Sequence, residues 1–238
     1  MNTYRFQVTE TFTTRLLGSA PANKQVYADF IAGKKAEAEE RRAKASERFG
    51  VETVASVGTI EEELGTIREE TGATCFHNDL GQTTEDGLPG LGLFLYDYQI
   101  AGYWKEAAES LAQEHGVKQV RSKLDNFMFI TPRRVYIRDG NEALTEPDGK
   151  LERPLRAMTA QGPRVTLACS EIVNPGRVIG YTMEFLPYIK VGTGREAKAL
   201  DVDHFVEIVS GYGKFKGRGQ WRNGGNGRMT IKITALKE

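Results

Sequence analysis

The feature that most constrains this chain is a glycine-rich basic stretch near its C-terminal end, residues 213–228, with the sequence GKFKGRGQWRNGGNGR. It contains six glycines, five basic residues, two aromatic residues and no acidic residue. A helical pattern precedes it at residues 200–210, and a strand pattern follows it at residues 229–234. Glycines let backbone N–H groups approach a ligand closely, basic side chains match phosphate charge, and aromatic rings stack on bases. The stretch therefore indicates either a nucleic-acid-binding loop or a long solvated connection.

The distribution of charge favours an anionic partner, although the formal net charge of the 238-residue chain is +0. Residues 51–116 carry 2 basic and 13 acidic side chains, whereas residues 117–238 carry 21 basic and 13 acidic ones. Such asymmetry indicates an anion-binding face on the C-terminal half. The acidic segment 51–116 is in turn a candidate surface for a protein partner or for a second copy of the chain, so a homo-oligomer is expected.

The composition is that of a globular protein of the cytoplasm. Hydrophobic residues make up 39% of the chain and charged residues 27%. No apolar run is long enough to cross a membrane, and the first residues have a strand pattern rather than an apolar leader. Cys75 and Cys169 lie far apart in the sequence, which suggests no disulfide framework and favours a reducing compartment.

Hydrophobic spacing predicts a single α+β domain over residues 1–238. Residues 4–12 alternate as a strand, residues 100–111 have helical spacing, and a last helix and a last strand flank the glycine-rich stretch. Extended pieces between them complete the order strand, helix, strands, helix, strand. This is the ferredoxin-like (RRM-like) arrangement, an antiparallel sheet backed by two helices.

Three further segments elaborate that core. Residues 20–92 are rich in charged residues and loop signals, and they are interpreted as a helical and loop insertion. Residues 117–138 are predicted to form a hairpin. Residues 165–170 and 178–186 are predicted to pair as strands around the turn Asn174-Pro-Gly176.

On these residues the chain resembles the RAMP superfamily, the RNA-binding proteins that form the backbone of CRISPR effector complexes. The resemblance covers residues 1–19 and 93–238 and depends on the placement and character of the stretch 212–229. The segments LERPLRAMTAQGPR (151–164) and GQWRNGGNGR (219–228) also look like those of uncharacterised phage and prophage proteins of this group. The resemblance implies a subunit that tracks single-stranded RNA in multimers, with the hairpin 117–138 projecting over the strand. A phage origin would make single-stranded DNA a competing ligand and a bacterial cytoplasm the location.

Three basic sets are the candidate nucleic-acid-binding residues. In the glycine-rich stretch, the resemblance implies that five cations contact phosphates: Lys214, Lys216, Arg218, Arg222 and Arg228. It also implies that Gln220 and Asn223 donate hydrogen bonds and that Trp221 stacks on a base. The second set lies on the predicted hairpin: Arg121, Lys123, Arg133, Arg134 and Arg138. The third set is Arg153, Arg156 and Arg164. The alternative for each set is an ordinary solvated face, and for Trp221 it is a place in the core.

Motifs for other chemistries are weak. Gly217-Arg-Gly219 follows a helix and precedes a strand, the reverse of a dinucleotide fingerprint, and no Walker loop or nucleophile elbow is present. Cys75 and His77 lack a second pair of ligands, so no metal and no cofactor are expected. An RNA-cleaving enzyme of the same fold would use His204 or His77 as a general acid or base. A decoy that acts through the acidic segment is a third possibility, but the sequence favours a non-enzymatic binding protein.

Overall fold

The structure is a computed structural model, and the part of the chain that it describes consists of residues 3–29, 32, 64–67, 73–84, 87–159, 162–186, 189–191 and 198–236. Most of the helical pattern predicted within residues 20–92 therefore lies outside the described residues. Residues 24–29 of that segment are helical. Three short strands of the same segment, introduced below, join sheets of the main body.

Within the described ranges, four helices from residue 97 onward contribute to the body of the protein: α1 (Asp97–Ser110), α2 (Ala112–His115), α3 (Val120–Phe127) and α4 (Val202–Gly211). The strands in the part of the chain that the structure describes are β1 (Tyr4–Phe12), β2 (Leu16–Leu17), β3 (Ala20–Pro21), β4 (Ala73–Cys75), β5 (His77–Asn78), β6 (Leu93–Tyr96), β7 (Met128–Thr131), β8 (Arg134–Tyr136), β9 (Arg138–Asp139), β10 (Glu142–Ala143), β11 (Gly149–Thr159), β12 (Gly162–Val173), β13 (Val178–Phe185), β14 (Lys190–Val191), β15 (Lys198–Ala199) and β16 (Met229–Leu236). No helix among the described residues has both the length and the apolar character that a membrane crossing requires.

The main sheet has β1 at its centre. β1 pairs antiparallel with β13 on one side and with β16 on the other, and β13 also pairs antiparallel with β7. The elements β1, α1, β7, β13, α4 and β16 thus follow one another as strand, helix, strand, strand, helix, strand, which is the order of the ferredoxin-like arrangement. The predicted α+β class with an antiparallel sheet is confirmed.

Both helices cover the same face of this sheet because their apolar residues recur at helical spacing. In α1, Ile100, Trp104 and Ala107 are buried, and in α4, Phe205 and Val209 are buried. They pack against the inward residues of the alternating strand β1 in one hydrophobic core. Asp201 caps α4 by accepting a hydrogen bond from the backbone N–H of His204 at 3.0 Å. The glycine-rich stretch begins where α4 ends and returns the chain to β16.

The predicted hairpin at residues 117–138 is wrong. The first part of this segment is the helix α3, which buries Val120 and Leu124 one turn apart. The following strands, β7 and β8, belong to different sheets, since β7 pairs with β13 and β8 pairs with β6. The expectation that this segment projects over a bound strand therefore does not fit its structure.

The long hairpin of this protein is formed instead by β11 and β12. These strands pair antiparallel from Gly149–Ile172 to Thr159–Gly162. β12 also pairs with β2 and β4, but only from Cys169 onward. The part between the pair Arg153–Ala168 and the pair Thr159–Gly162 is called the ribbon here; among the described residues it pairs with no other strand and is about 20 Å long. The predicted pairing of 165–170 with 178–186 is also wrong, because β12 and β13 lie in separate sheets.

Candidate nucleic-acid interface

The glycine-rich stretch, called the glycine loop (residues 213–228) below, folds back on itself. The backbone N–H of Arg218 donates to the carbonyl of Gly227 at 3.0 Å, and a Cβ atom on either Gly217 or Gly227 would overlap the opposite backbone. A Cβ on Gly219 would overlap the carbonyl of Leu17. These glycines therefore allow close contact within the loop and with the segment before β3. Their spacing is explained by packing rather than by access for a ligand.

Arg218 lies in the interior, so the expectation that it meets a phosphate is corrected. Its Nε and Nη2 atoms donate to the two carboxylate oxygens of Glu10 at 2.9 and 2.5 Å. Glu10 is fully buried, and Arg218 is 4% exposed. Burial alone would lower the pKa of Arg218, but the carboxylate of Glu10 raises it, so the guanidinium keeps its charge.

Further hydrogen bonds extend this buried ion pair into a network across the core. The hydroxyl of Tyr181 donates to Glu10 at 2.6 Å, and the indole of Trp104 donates to the Tyr181 hydroxyl at 2.6 Å. Burial, followed by the nearby charge of Glu10, raises the pKa of Tyr181 well above its ordinary value. The network joins β1, β13, α1 and the glycine loop, so Arg218 fixes the loop to the sheet.

Trp221 is an exposed aromatic residue at the contact between the glycine loop and the ribbon. It is 44% exposed and has left-handed backbone angles, φ 50° and ψ 44°, which a bulky side chain rarely adopts. The guanidinium carbon of Arg153 lies 4.7 Å from the centroid of its ring, and Gly224 packs against the same indole. The alternative place in the core is excluded by this exposure. The contact joins the glycine loop to the base of the ribbon, and with them two of the three predicted basic sets.

Lys216 and Arg222 flank the part of the loop that carries Trp221, and both pair with one carboxylate of α1. The Nζ atom of Lys216 lies 2.6 Å from one oxygen of Glu106, and Arg222 donates to the other oxygen. Burial alone would raise the pKa of Glu106, but the hydrogen bonds from the two cations lower it. The three side chains are each about one-third exposed or less. Glu106 therefore stays ionised and holds both cations at the protein surface.

The remaining cations of the loop face solvent. Lys214 and Arg228 are exposed, and neither makes an ion pair within the part of the chain that the structure describes. Arg15, which the sequence analysis missed, is also exposed, and its carbonyl accepts a hydrogen bond from the backbone N–H of Gly227 at 2.6 Å, which places it next to the loop. The only sequence signal for Arg15 was its position between two strands, and no neighbouring residue links Arg15 to the glycine loop. These three side chains supply the unneutralised positive charge of the site.

The two amides of the predicted set have different surroundings. The backbone N–H of Gln220 donates to the carbonyl of Leu17 at 3.3 Å, and its side chain is half-buried. Asn223 is exposed on the short 3-10 turn that follows Trp221.

In the ribbon, Arg156 lies opposite Val165 and Arg164 lies opposite Ala157 in the strand register.

The second basic set is not brought to the glycine loop as a group. Arg121 pairs with Glu109 at 3.1 Å, and Lys123 donates to the carbonyl of Lys190 at 3.1 Å. Arg134 is 9% exposed and donates to Asp79 at 3.0 Å, so its predicted place on a nucleic-acid surface is corrected to a buried ion pair. Arg133 lies 5.3 Å from the ring centroid of Tyr96, and Arg138 donates to the carbonyl of Asn141. This set mainly joins elements of the fold.

His77 does not lie in an accessible site. It is 1% exposed, its Nδ1 atom lies 2.9 Å from the hydroxyl of Thr66, and Tyr27 and Phe94 flank its ring. Burial, and after it the charge of Arg134, lowers the pKa of His77 to about 3. A buried neutral imidazole cannot exchange protons with an RNA substrate, so the expectation of His77 as a general acid or base is corrected. Among the described residues no group of three or more metal-ligating side chains converges on one point.

No protein-family model and no curated protein matches the chain. Solved structures are similar to it at low identity. One is a chain of the Type III-B Cmr-beta complex bound to cognate target RNA, determined by cryo-EM, with 12% identity and a TM-score of 0.45; the match covers 99% of this chain and 61% of that one. Another is a chain of a Type IV-B CRISPR complex, with 11% identity and a TM-score of 0.41, covering 98% of this chain and 92% of that one.

The chain spans less than two thirds of the first of these structures, at 61% of its length. Both similar chains come from CRISPR complexes. With TM-scores of 0.45 and 0.41, neither likeness assigns a family to the chain.

Proposed function

We propose that the protein is a non-enzymatic single-stranded nucleic-acid-binding protein whose interface is the glycine loop together with the base of the ribbon. The observation that carries the proposal is the contact of Trp221 with Arg153. An exposed indole, held in a strained backbone conformation beside a guanidinium group, offers a flat face and a positive charge at one place. Single strands are bound by this combination of stacking and phosphate neutralisation, because every base has a π-face.

The charge around that contact supports the same function. Lys214, Arg228 and Arg15 surround the loop with exposed positive charge. Arg218 is excluded from the interface because it is used inside the fold. The interface is thus smaller than the loop composition predicts, and it depends on Trp221, Arg153 and the three exposed cations. Self-assembly on the strand and a protein partner for the acidic segment 51–116 stay predictions.

A fluorescence-anisotropy titration tests the proposal, with labelled single-stranded RNA, single-stranded DNA and duplex DNA at two salt concentrations. Each phosphate contact contributes about 0.7 to the slope of log affinity against log salt for a single strand. We therefore expect Lys214→Ala with Arg228→Ala to lower the slope by about 1.4 and to weaken binding about 25-fold at 0.1 M salt. Trp221→Ala should weaken binding about 5- to 150-fold, the range of base stacking, and leave the slope nearly unchanged.

The matched control removes two positive charges elsewhere, at the exposed lysines Lys118 and Lys198. Lys118→Ala with Lys198→Ala should bind like the wild type. Absence of binding to all three polymers at low salt would contradict the proposed function. An equal loss in the control and in the loop variant would contradict the proposed site, because binding would then follow overall charge. The preferred polymer in the same titration distinguishes RNA from DNA.

A further inference from the structure

A carboxylate occupies the point in the glycine loop where two cations converge. One oxygen of Glu106 lies 2.6 Å from the Nζ atom of Lys216, and the other accepts a hydrogen bond from Arg222. These oxygens have the hydrogen-bond geometry that a phosphate would need toward the same two side chains. The acid belongs to α1, whose packing into the core through Trp104 and Ala107 fixes its position.

We infer that Glu106 is an internal competitor of the nucleic-acid phosphate and limits the affinity of the glycine loop. This inference rests on the proposed function and concerns the same site. While Glu106 is paired, its carboxylate neutralises one of the two positive charges of Lys216 and Arg222, so the three side chains together carry a single net positive charge. A phosphate that binds there must displace the carboxylate, which then remains next to the incoming anion.

The exposure of the three side chains makes this exchange possible. Lys216, Arg222 and Glu106 have side-chain exposures of 34%, 34% and 27%, so a ligand can reach all of them. The buried pair of Arg218 with Glu10 differs in this respect, since its side chains are 5% and 0% exposed. Lys216 and Arg222 therefore lie at the surface, where a ligand can displace their partner, whereas Arg218 is paired in the interior.

The test is Glu106→Gln in the same titration with labelled single-stranded RNA and single-stranded DNA. The amide keeps the size of the side chain and removes the charge that competes with phosphate. Each cation released to a phosphate contributes about fivefold in affinity at 0.1 M salt and about 0.7 in slope. We expect Glu106→Gln to bind about 5- to 25-fold more tightly than the wild type, with a slope increased by about 0.7 to 1.4.

The matched control is Glu184→Gln, which makes the same substitution at a glutamate that also pairs with an arginine, Arg5, at 2.7 Å. Glu184 lies opposite Arg5, near the end of β1 that is far from the glycine loop. The Glu184→Gln variant should therefore bind nucleic acid with the affinity of the wild type. A thermal unfolding curve of each variant shows whether the protein stays folded.

Folded Glu106→Gln with unchanged or weaker affinity would overturn the inference, because Glu106 would then be a structural partner of the two cations. An equal gain in Glu184→Gln would overturn it as well, since the gain would reflect overall charge. Absence of binding by the wild type is a different result that would contradict the proposed function itself.

Discussion

Replacement of Arg218 by methionine should destabilise the protein strongly while leaving the exposed cations of the glycine loop in place. Arg218 and Glu10 form a bidentate ion pair whose side chains are 5% and 0% exposed. Arg218→Met leaves the carboxylate of Glu10 buried, with the hydroxyl of Tyr181 as its remaining side-chain donor within the described part of the chain. Removal of one partner of such a pair costs about 3 to 5 kcal/mol.

The magnitude can be measured by two routes. In a protein of this size, 1 kcal/mol corresponds to about 2 to 4 °C in Tm, so Arg218→Met should lower Tm by about 6 to 20 °C. Urea unfolding followed by circular dichroism gives the free energy of unfolding directly. The double variant Glu10→Gln with Arg218→Met should be more stable than Arg218→Met alone, because no uncompensated charge is then buried.

An arginine of the same loop supplies the control. Arg228 is exposed, and Arg228→Met should change the free energy of unfolding by less than about 0.5 kcal/mol. Arg218→Met should lower the free energy of unfolding. Arg228→Met should leave it nearly unchanged and should weaken salt-dependent binding. An Arg218→Met protein as stable as the wild type would refute this reasoning, since Arg218 would then not be the buried partner of Glu10.

Two further predictions concern pH and the loop backbone. The folded state holds His77 neutral, with a pKa of about 3 against 6.5 when unfolded, so stability falls as pH decreases below 6.5. Between pH 7 and pH 5 the wild type should lose about 2 kcal/mol more than His77→Gln, as urea unfolding at both pH values would measure; equal losses would contradict the buried neutral state. Gly227→Ala should destabilise the protein by at least about 1 kcal/mol more than Gly225→Ala, because both have positive φ but only Gly227 meets backbone where Cβ would lie. Equal melting temperatures would contradict the folded-back loop.

The sequence predicts the core of the fold because its elements carry regular hydrophobic patterns. Strand β1 alternates, α1 repeats its apolar residues at helical spacing, and the glycine loop separates α4 from β16 as expected. The segment 117–127 is less regular, since α3 has only two fully buried residues, Val120 and Leu124. The ribbon was not recognised because Pro154 and Pro163 interrupt its strands, while Val165 and Leu167 are apolar yet 75% and 59% exposed.

The roles within the glycine loop could not be assigned from the loop alone. Composition does not distinguish Arg218, which is buried, from Arg222, which is at the surface, because the deciding partners are Glu10 and Glu106, far away in the sequence. One signal was present: Glu10 stands between Val8 and Phe12 in the inward register of an alternating strand. An ionised carboxylate at such a position needs a buried cation or hydrogen-bond donors to compensate its charge. The sequence alone does not identify Arg218 as the partner of Glu10.

The central position of β1 has a consequence for the order in which the protein is made. The first residue of its neighbour β13, Val178, follows the last residue of β1, Phe12, by 166 positions, and β16 follows later still. At about 5 to 20 residues per second, the ribosome needs roughly 8 to 33 s to synthesise that interval. Throughout this time both hydrogen-bonding edges of β1 lack their native partners, and such edges are templates for aggregation. The nascent chain is therefore most exposed to misassembly before its C-terminal strands emerge, and the glycine loop is among the last segments to be synthesised before the sheet can close.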